Sequence, residues 1–300
     1  MNRTQLVRAF VGSNASAQVA DAFRARTVDC VTFDSGLPGV SVAVMAGVHG
    51  NEKSGVIELD RLVAEMTVTS GKVIFVLGNL AAMEADRRCT EKNMNRCFRA
   101  VPAGNTYEDL RAAAIVAVLG ECDALLDVHN TLNKASSVPF LISEYPEWDQ
   151  YFPVPLSASG FDALHPGGSD GYMNSIGKTG LCVECGSIYD RNAEGFARRC
   201  VENFLKASGC VAGRPEIFPR VRRLAFDRIY KNASMDFRFD RQFKDFEPVK
   251  SGQLIATDGG REVRAQEDSV LTFPHVAQAV GDEMFVLGRD VTAQTPGYRS

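Results

Sequence analysis

Val40-Ser41-Val42-Ala43-Val44-Met45-Ala46-Gly47-Val48-His49-Gly50-Asn51-Glu52 is the stretch whose reading decides the fold. Residues 40–46 form a near-continuous apolar run, the pattern of a strand covered on both faces. A glycine-bearing turn follows, and from Glu52 to about Met66 the apolar residues return at helical spacing. A strand feeding a helix through a short turn is the first half of a crossover unit.

The unit recurs along the chain. Lys72-Val73-Ile74-Phe75-Val76-Leu77 reads as a second strand and 107–120 as a second amphipathic helix. Ala124-Leu125-Leu126-Asp127-Val128 and Leu181-Cys182-Val183-Glu184-Cys185 read as further buried strands, and a last helix spans about 193–207. Strands alternating with helices predict a mixed, mostly parallel sheet covered on both faces, an α/β fold of three layers. Near Gly209–Pro215 the rhythm changes to short strand-like runs divided by turn signals such as Asp258-Gly259-Gly260 and Phe273-Pro274. Residues 1–212 are therefore expected to form the main domain and 213–300 a smaller, β-rich one.

A chain of 300 residues with 45% hydrophobic and 23% charged side chains has enough apolar material for a large core. Its 33 basic and 37 acidic residues are well mixed, for a net charge of −4. No basic stripe marks a nucleic-acid partner. No stretch approaches the ~20 apolar residues that cross a membrane. Ala15-Ser16-Ala17 resembles a leader-cleavage site, but the preceding Leu6–Val11 segment is short and broken by Arg8, so the chain reads as cytoplasmic. The eight cysteines then need not form disulfides. Cys182-Val183-Glu184-Cys185 has CxxC spacing but lies in a strand, whereas a redox pair normally opens a helix.

Three polar positions interrupt this apolar framework where a sheet presents its carboxyl edge, the side on which such folds bind ligands. His49 and Glu52 flank the first turn, three residues apart. An imidazole and a carboxylate aimed at one point are two thirds of a catalytic zinc shell. Equally, a glutamate there suits the start of a helix. His129 ends the strand containing Asp127, and residues two apart on a strand face the same way. Asp127 could thus orient His129 as a metal ligand, although a capped core histidine fits the same pattern. Taken together, two histidines and one glutamate leave a fourth zinc position open for water. Glu184 sits within an apolar strand, where an unpaired carboxylate is costly unless it is used, for instance as general base and acid. Arg88, Asn95 and Arg96 lie in a polar stretch that could bind a carboxylate or simply be a solvated loop.

The order Gly-Val-His-Gly-Asn-Glu, Gly-Asn…Arg…Asn-Arg, Asp-Val-His-Asn-Thr and Glu-x-Gly resembles the aspartoacylase and succinylglutamate desuccinylase family, relatives of the zinc carboxypeptidases. The resemblance covers about residues 43–190. It implies a carboxypeptidase-like α/β/α domain with a β-rich C-terminal part beside the active site. It also implies one zinc ion per chain on His49, Glu52 and His129, with Glu184 as the catalytic general base and acid. Arg88 would polarise the scissile carbonyl, and Asn95 and Arg96 would hold the amino-acid part of the substrate. The implied activity is deacylation of a small N-acyl amino acid by metal-activated water, by a chain that could form a homo-oligomer.

This sequence departs from the family pattern in three places. Asn93-Met94-Asn95-Arg96 replaces the common Asp-Leu-Asn-Arg. Asn174 stands where aspartoacylases carry a second arginine ten residues before the catalytic glutamate, and no clear counterpart exists to a tyrosine from their C-terminal domain. With Asn174 offering only neutral donors, substrates with one carboxylate and a neutral or basic side chain are expected over acetylaspartate. The alternatives are a zinc carboxypeptidase acting on peptides and a zinc-binding module without catalysis. His165 and His275, each beside a proline, read as structural, although His165 lies in a Gly-rich segment that could border the cleft.

Overall fold

The computed structural model describes residues 30–132, 138–219 and 221–294; the segment read above for a leader lies outside them. Among the described residues, no helix is long and apolar enough to cross a membrane.

The centre of the sheet follows from the quoted run. Strand β2 (Ser41–Ala46) lies between β3 (Lys72–Leu77) and β4 (Ala124–Thr131), parallel to both, and β7 (Thr179–Ser187) continues the parallel array beyond β4. The side chains of β2 alternate between two cores. Val42, Val44 and Ala46 pack with helices α1 (Lys53–Glu65) and α7 (Ala193–Ala207). Ala43 and Met45 pack with α3 (Tyr107–Leu119), the helix that follows the short α2 (Leu80–Ala85). Burial on both sides is why the strand reads as one apolar run rather than as an alternation.

Among the described residues this sheet has eleven strands, in the order β1-β3-β2-β4-β7-β5-β6-β8-β14-β13-β10. Strand β1 (Cys30–Asp34) is antiparallel to β3 at one edge. Strands β5 (Phe140–Ser143) and β6 (Leu156–Ser159), with the short helices α4 (Pro146–Asp149), α5 (Phe161–Leu164) and α6 (Ser169–Ser175), occupy a region in which the periodicity predicts no element. Four-residue strands are too short to show a period, and here they are fixed by neighbours: β5 is antiparallel to β7, and β6 lies parallel to both β5 and β8 (Arg222–Lys231).

Among the described residues beyond 221, every element is a strand or a single turn of helix. Strands β14 (Glu283–Asp290), β13 (Ser269–Thr272) and β10 (Glu247–Val249) extend the main sheet antiparallel from β8. A separate three-stranded sheet holds β9 (Arg238–Phe239), β11 (Leu254–Asp258) and β12 (Arg261–Arg264). The β11–β12 connection is the predicted Gly259-Gly260 turn. Both residues have positive φ, 55° and 79°, as a two-residue hairpin turn of matching twist requires. Phe237, Phe243, Ile255 and Phe285 form a core for this part, while Phe140, Phe161, Phe226 and Phe246 pack across to the main sheet.

Candidate active site

The turn after β2 is built by two glycines. Gly47 takes a φ of 76°, which L side chains rarely adopt. At Gly50 a Cβ would sit 2.1 Å from the backbone carbon of Ala82, so only glycine lets α2 approach this closely. Glu52 then occupies the N-cap of α1 in an extended conformation but makes no capping hydrogen bond. Its carboxylate is turned inward instead.

There it meets both histidines. Glu52 Oε1 lies 2.7 Å from His49 Nδ1, and Oε2 lies 2.9 Å from His129 Nδ1. Among the described residues, His49, Glu52 and His129 are the one group whose ligand atoms all fall close enough to hold a metal ion, within 4.8 Å of one another. All three are buried. The donors suit zinc, which binds imidazole nitrogen and carboxylate oxygen.

Electrostatics couples the three groups. Burial disfavours a charged Glu52, yet the two imidazoles outweigh it and hold its carboxyl well below the usual range. Burial also lowers His49. On His129 burial acts the same way, but Asp127 and Glu52 prevail and raise it well above the ordinary value. Asp127 Oδ2 lies 3.0 Å from His129 Nε2 and also accepts from Ser169 Oγ. The other histidine has a neutral partner, with Asn93 Oδ1 lying 2.9 Å from His49 Nε2. Asn130 donates its backbone N–H to Glu52 Oε2 at 3.0 Å and its side-chain amide to the Gly186 carbonyl at 3.1 Å. Sequence reading assigned no role to Asn93 or Asn130, since single polar residues at turns and strand ends carry no periodic signal.

Glu184 is placed by register. It pairs with His129 across the parallel β4–β7 ladder, so the two side chains stand on the same face. Its Oε2 is buried without a hydrogen-bond partner. Burial and the nearby Glu52 push its carboxyl up to about 7, against the opposing pull of His129 and Arg88. Cys182 shares this face and lines the cavity, whereas Cys185 packs against α7 on the other side. The CxxC thiols thus point to opposite faces of one strand.

Arg88 reaches the group directly, donating from Nη1 to Glu52 Oε1 at 3.0 Å. Its loop is tied down from beneath by the buried Glu108, which accepts from Asn79 Nδ2, Thr90 N and Thr90 Oγ1. Asn95 Oδ1 accepts the Ser169 N–H at 3.2 Å, and Arg96 Nη1 donates to the Asn95 carbonyl at 2.7 Å. Burial lowers the Arg96 pKa, and Glu283 and Asp170 attract its guanidinium.

These groups line one cavity of about 780 Å³, which holds His49, Glu52, His129, Glu184, Arg88, Asn95 and Arg96 together. Its far wall comes from the β-rich part, including Asp245, Phe273, Pro274, His275, Gln278 and Glu283. Phe273 adopts a φ of 54° with its N–H on Asp245 Oδ1 at 2.7 Å. His165 spans the two walls, its Nε2 2.8 Å from Glu283 Oε2. Among the described residues, no tyrosine and no arginine from beyond residue 212 lines the cavity.

Asn174 is the exception to the expected set. The structure does not bring it to this cavity: it lines a separate hollow with Phe98, Asp162 and Tyr172. Its amide is spent within the fold, donating to Asp162 Oδ2 at 2.7 Å and accepting the Gly180 N–H at 2.8 Å. The residues of α6 that do line the cavity are Asp170 and Gly171, in its first turn. Asn174 therefore gives no ground for disfavouring acetylaspartate.

Fold and site together define a carboxypeptidase-like α/β/α chain with a His–Glu–His group able to hold a metal ion. The catalytic-domain model of the succinylglutamate desuccinylase/aspartoacylase family matches residues 38–207, more than half of the chain, and the chain belongs to that family. It is 28% identical over 273 residues to a Nostoc sp. protein named "Probable aspartoacylase", with 78% of this chain and 89% of that one covered. It is 29% identical to an N-acyl-aromatic-L-amino acid amidohydrolase (carboxylate-forming) of Rattus norvegicus, covering 81% and 87%. Its fold is similar to that of a succinylglutamate desuccinylase of Vibrio parahaemolyticus, with a TM-score of 0.72 at 15% identity, covering 91% and 94%. These relatives are hydrolases of acylated amino acids by name, which supports hydrolysis as the activity class.

Proposed function

We propose that this chain is a zinc-dependent amidohydrolase that removes the acyl group from a small N-acyl amino acid. The observation that carries this reading is the convergence of His49, Glu52 and His129 on the cavity floor with Glu184 paired beside His129.

His49, Glu52 and His129 would hold the ion, with Asp127 and Asn93 fixing the two rings through their second nitrogens. A zinc ion there supplies Lewis acidity, polarising the acyl carbonyl and making water acidic near neutral pH. Glu184 takes the proton from the attacking water and returns it to the departing amine nitrogen. A buried carboxylate beside His129, with one oxygen free of other partners, is placed for both transfers. Arg88 moves from Glu52 to the carbonyl oxygen as negative charge develops there. Asn95 and Arg96 bind the amino-acid carboxylate, with Arg96 as the bidentate partner. Residues 213–300 act as a smaller domain whose 273–283 segment walls the cavity and limits the length of the substrate. That wall favours a small acyl amino acid over a peptide.

The test is a panel of N-acetyl and N-succinyl amino acids and short peptides given to the zinc-loaded protein, read as release of a free amino group. Turnover confined to acyl amino acids supports the reading. Faster turnover of peptides would replace it with a carboxypeptidase.

A further inference from the structure

Asp170 is only 8% exposed, yet it lines the active-site cavity. Its carboxylate accepts the Gly171 N–H and has no other hydrogen-bond or ion-pair partner among the described residues. Apart from Glu184 beside the metal-binding group, the other acids that line the cavity are engaged. Glu283 faces His165, Asp282 accepts the N–H groups of Gln278 and Ala279, Asp162 holds Asn174, and Asp245 accepts the Phe273 N–H. Arg96 is close enough to be attracted to Asp170 but forms no ion pair with it.

A buried carboxylate without an ion-pair partner costs free energy in the empty protein, and such a cost is commonly met in sites completed by a ligand. Its neighbours add to that cost. Burial, with repulsion from Asp162 and Asp127, pushes its carboxyl up to about 7 against the pull of the Gly171 N–H and His129. A cation entering the cavity would offset both the burial of this charge and its repulsion by the two aspartates. A substrate carboxylate would do the opposite.

We propose that Asp170 is a specificity residue that binds a positively charged side chain of the substrate, making N-acylated diamino acids the preferred substrate class. This rests on the deacylase reading above, with the α-carboxylate on Arg96 and the side-chain ammonium on Asp170.

The experiment compares Nα-acetylornithine with Nα-acetylnorleucine, which has a methyl in place of the ammonium, and with acetylaspartate, using the zinc-loaded full chain. Acetylornithine should exceed both in kcat/KM by ~30-fold or more, because losing one partner of a desolvated charge pair is costly. Asp170→Asn should lower kcat/KM for acetylornithine ~100-fold while changing acetylnorleucine by only a few-fold. The wild-type comparison stays decisive if the variant does not fold. Equal or better turnover of acetylnorleucine or acetylaspartate overturns the proposal and leaves deacylation standing. If no acyl amino acid is hydrolysed, the deacylase reading fails. Calorimetry with free ornithine then decides the role of Asp170, with wild-type binding that Asp170→Asn abolishes supporting it, and no binding or equal binding overturning it.

Discussion

Replacing Glu184 by glutamine removes the proton acceptor that the β4–β7 register places beside His129. Asp127 is committed to His129 and Ser169, and Glu52 to the two histidines. Loss of a general base typically costs ~10²–10⁴-fold, or about 2.7–5.4 kcal/mol of barrier. Zinc content should stay the same, because Glu184 is outside the ligand group. The same substitution should stabilise the metal-free protein at high pH. In the folded state Glu184 titrates at about 7, whereas an unfolded glutamate titrates near ~4.3. Between these values the folded chain binds more protons than the unfolded one, so stability falls as pH rises through that window. By this linkage a loss of roughly 2–3 kcal/mol is expected between pH ~5 and ~8. Wild type should lose that much more stability than Glu184→Gln over the interval, as read by urea unfolding with the metal removed. A mutant that keeps most of its turnover would show that Glu184 is only a structural strand residue, and one whose stability follows the wild-type pH curve would refute the raised carboxyl.

Two further substitutions probe the rest of the site. Arg88→Ala should lower kcat ~10²–10³-fold, the usual loss when one oxyanion donor goes, with KM little changed; a pure KM effect would make Arg88 a binding residue instead. Asp127→Asn keeps the shape but weakens the charge that orients His129, so zinc affinity measured by competition with a chelator should fall ~10–100-fold, and unchanged affinity would remove Asp127 from the site.

The elements legible in the sequence are those whose pattern is long enough to repeat. Strand β3 and helix α7 lie at the residues their periodicity predicts, and β2 and α1 differ only at their ends. Strand β4 runs on through Asn130 to Thr131 because pairing with β7 continues where the apolar run has stopped. Strands β5 and β6 were not legible, since they are stabilised by ladders to β7 and β8 rather than by local propensity. In the site, His49, Glu52, His129 and Glu184 stand out as polar residues at the edges of apolar strands, where burial demands a reason. Asp170 and Asn93 sit in polar stretches where no such contrast exists. Asn174 shows the limit of spacing as a guide. Counting ten residues back from Glu184 reaches the right helix, but only tertiary packing decides which of its turns faces the cavity.

The central claim is that His49, Glu52 and His129 form one metal centre, and metal analysis of protein purified without chelators tests it most directly. About one zinc per chain is expected in the wild type, with occupancy lost in His49→Ala, Glu52→Ala and His129→Ala and kept in Glu184→Gln. Full zinc occupancy in all three alanine variants would contradict the claim.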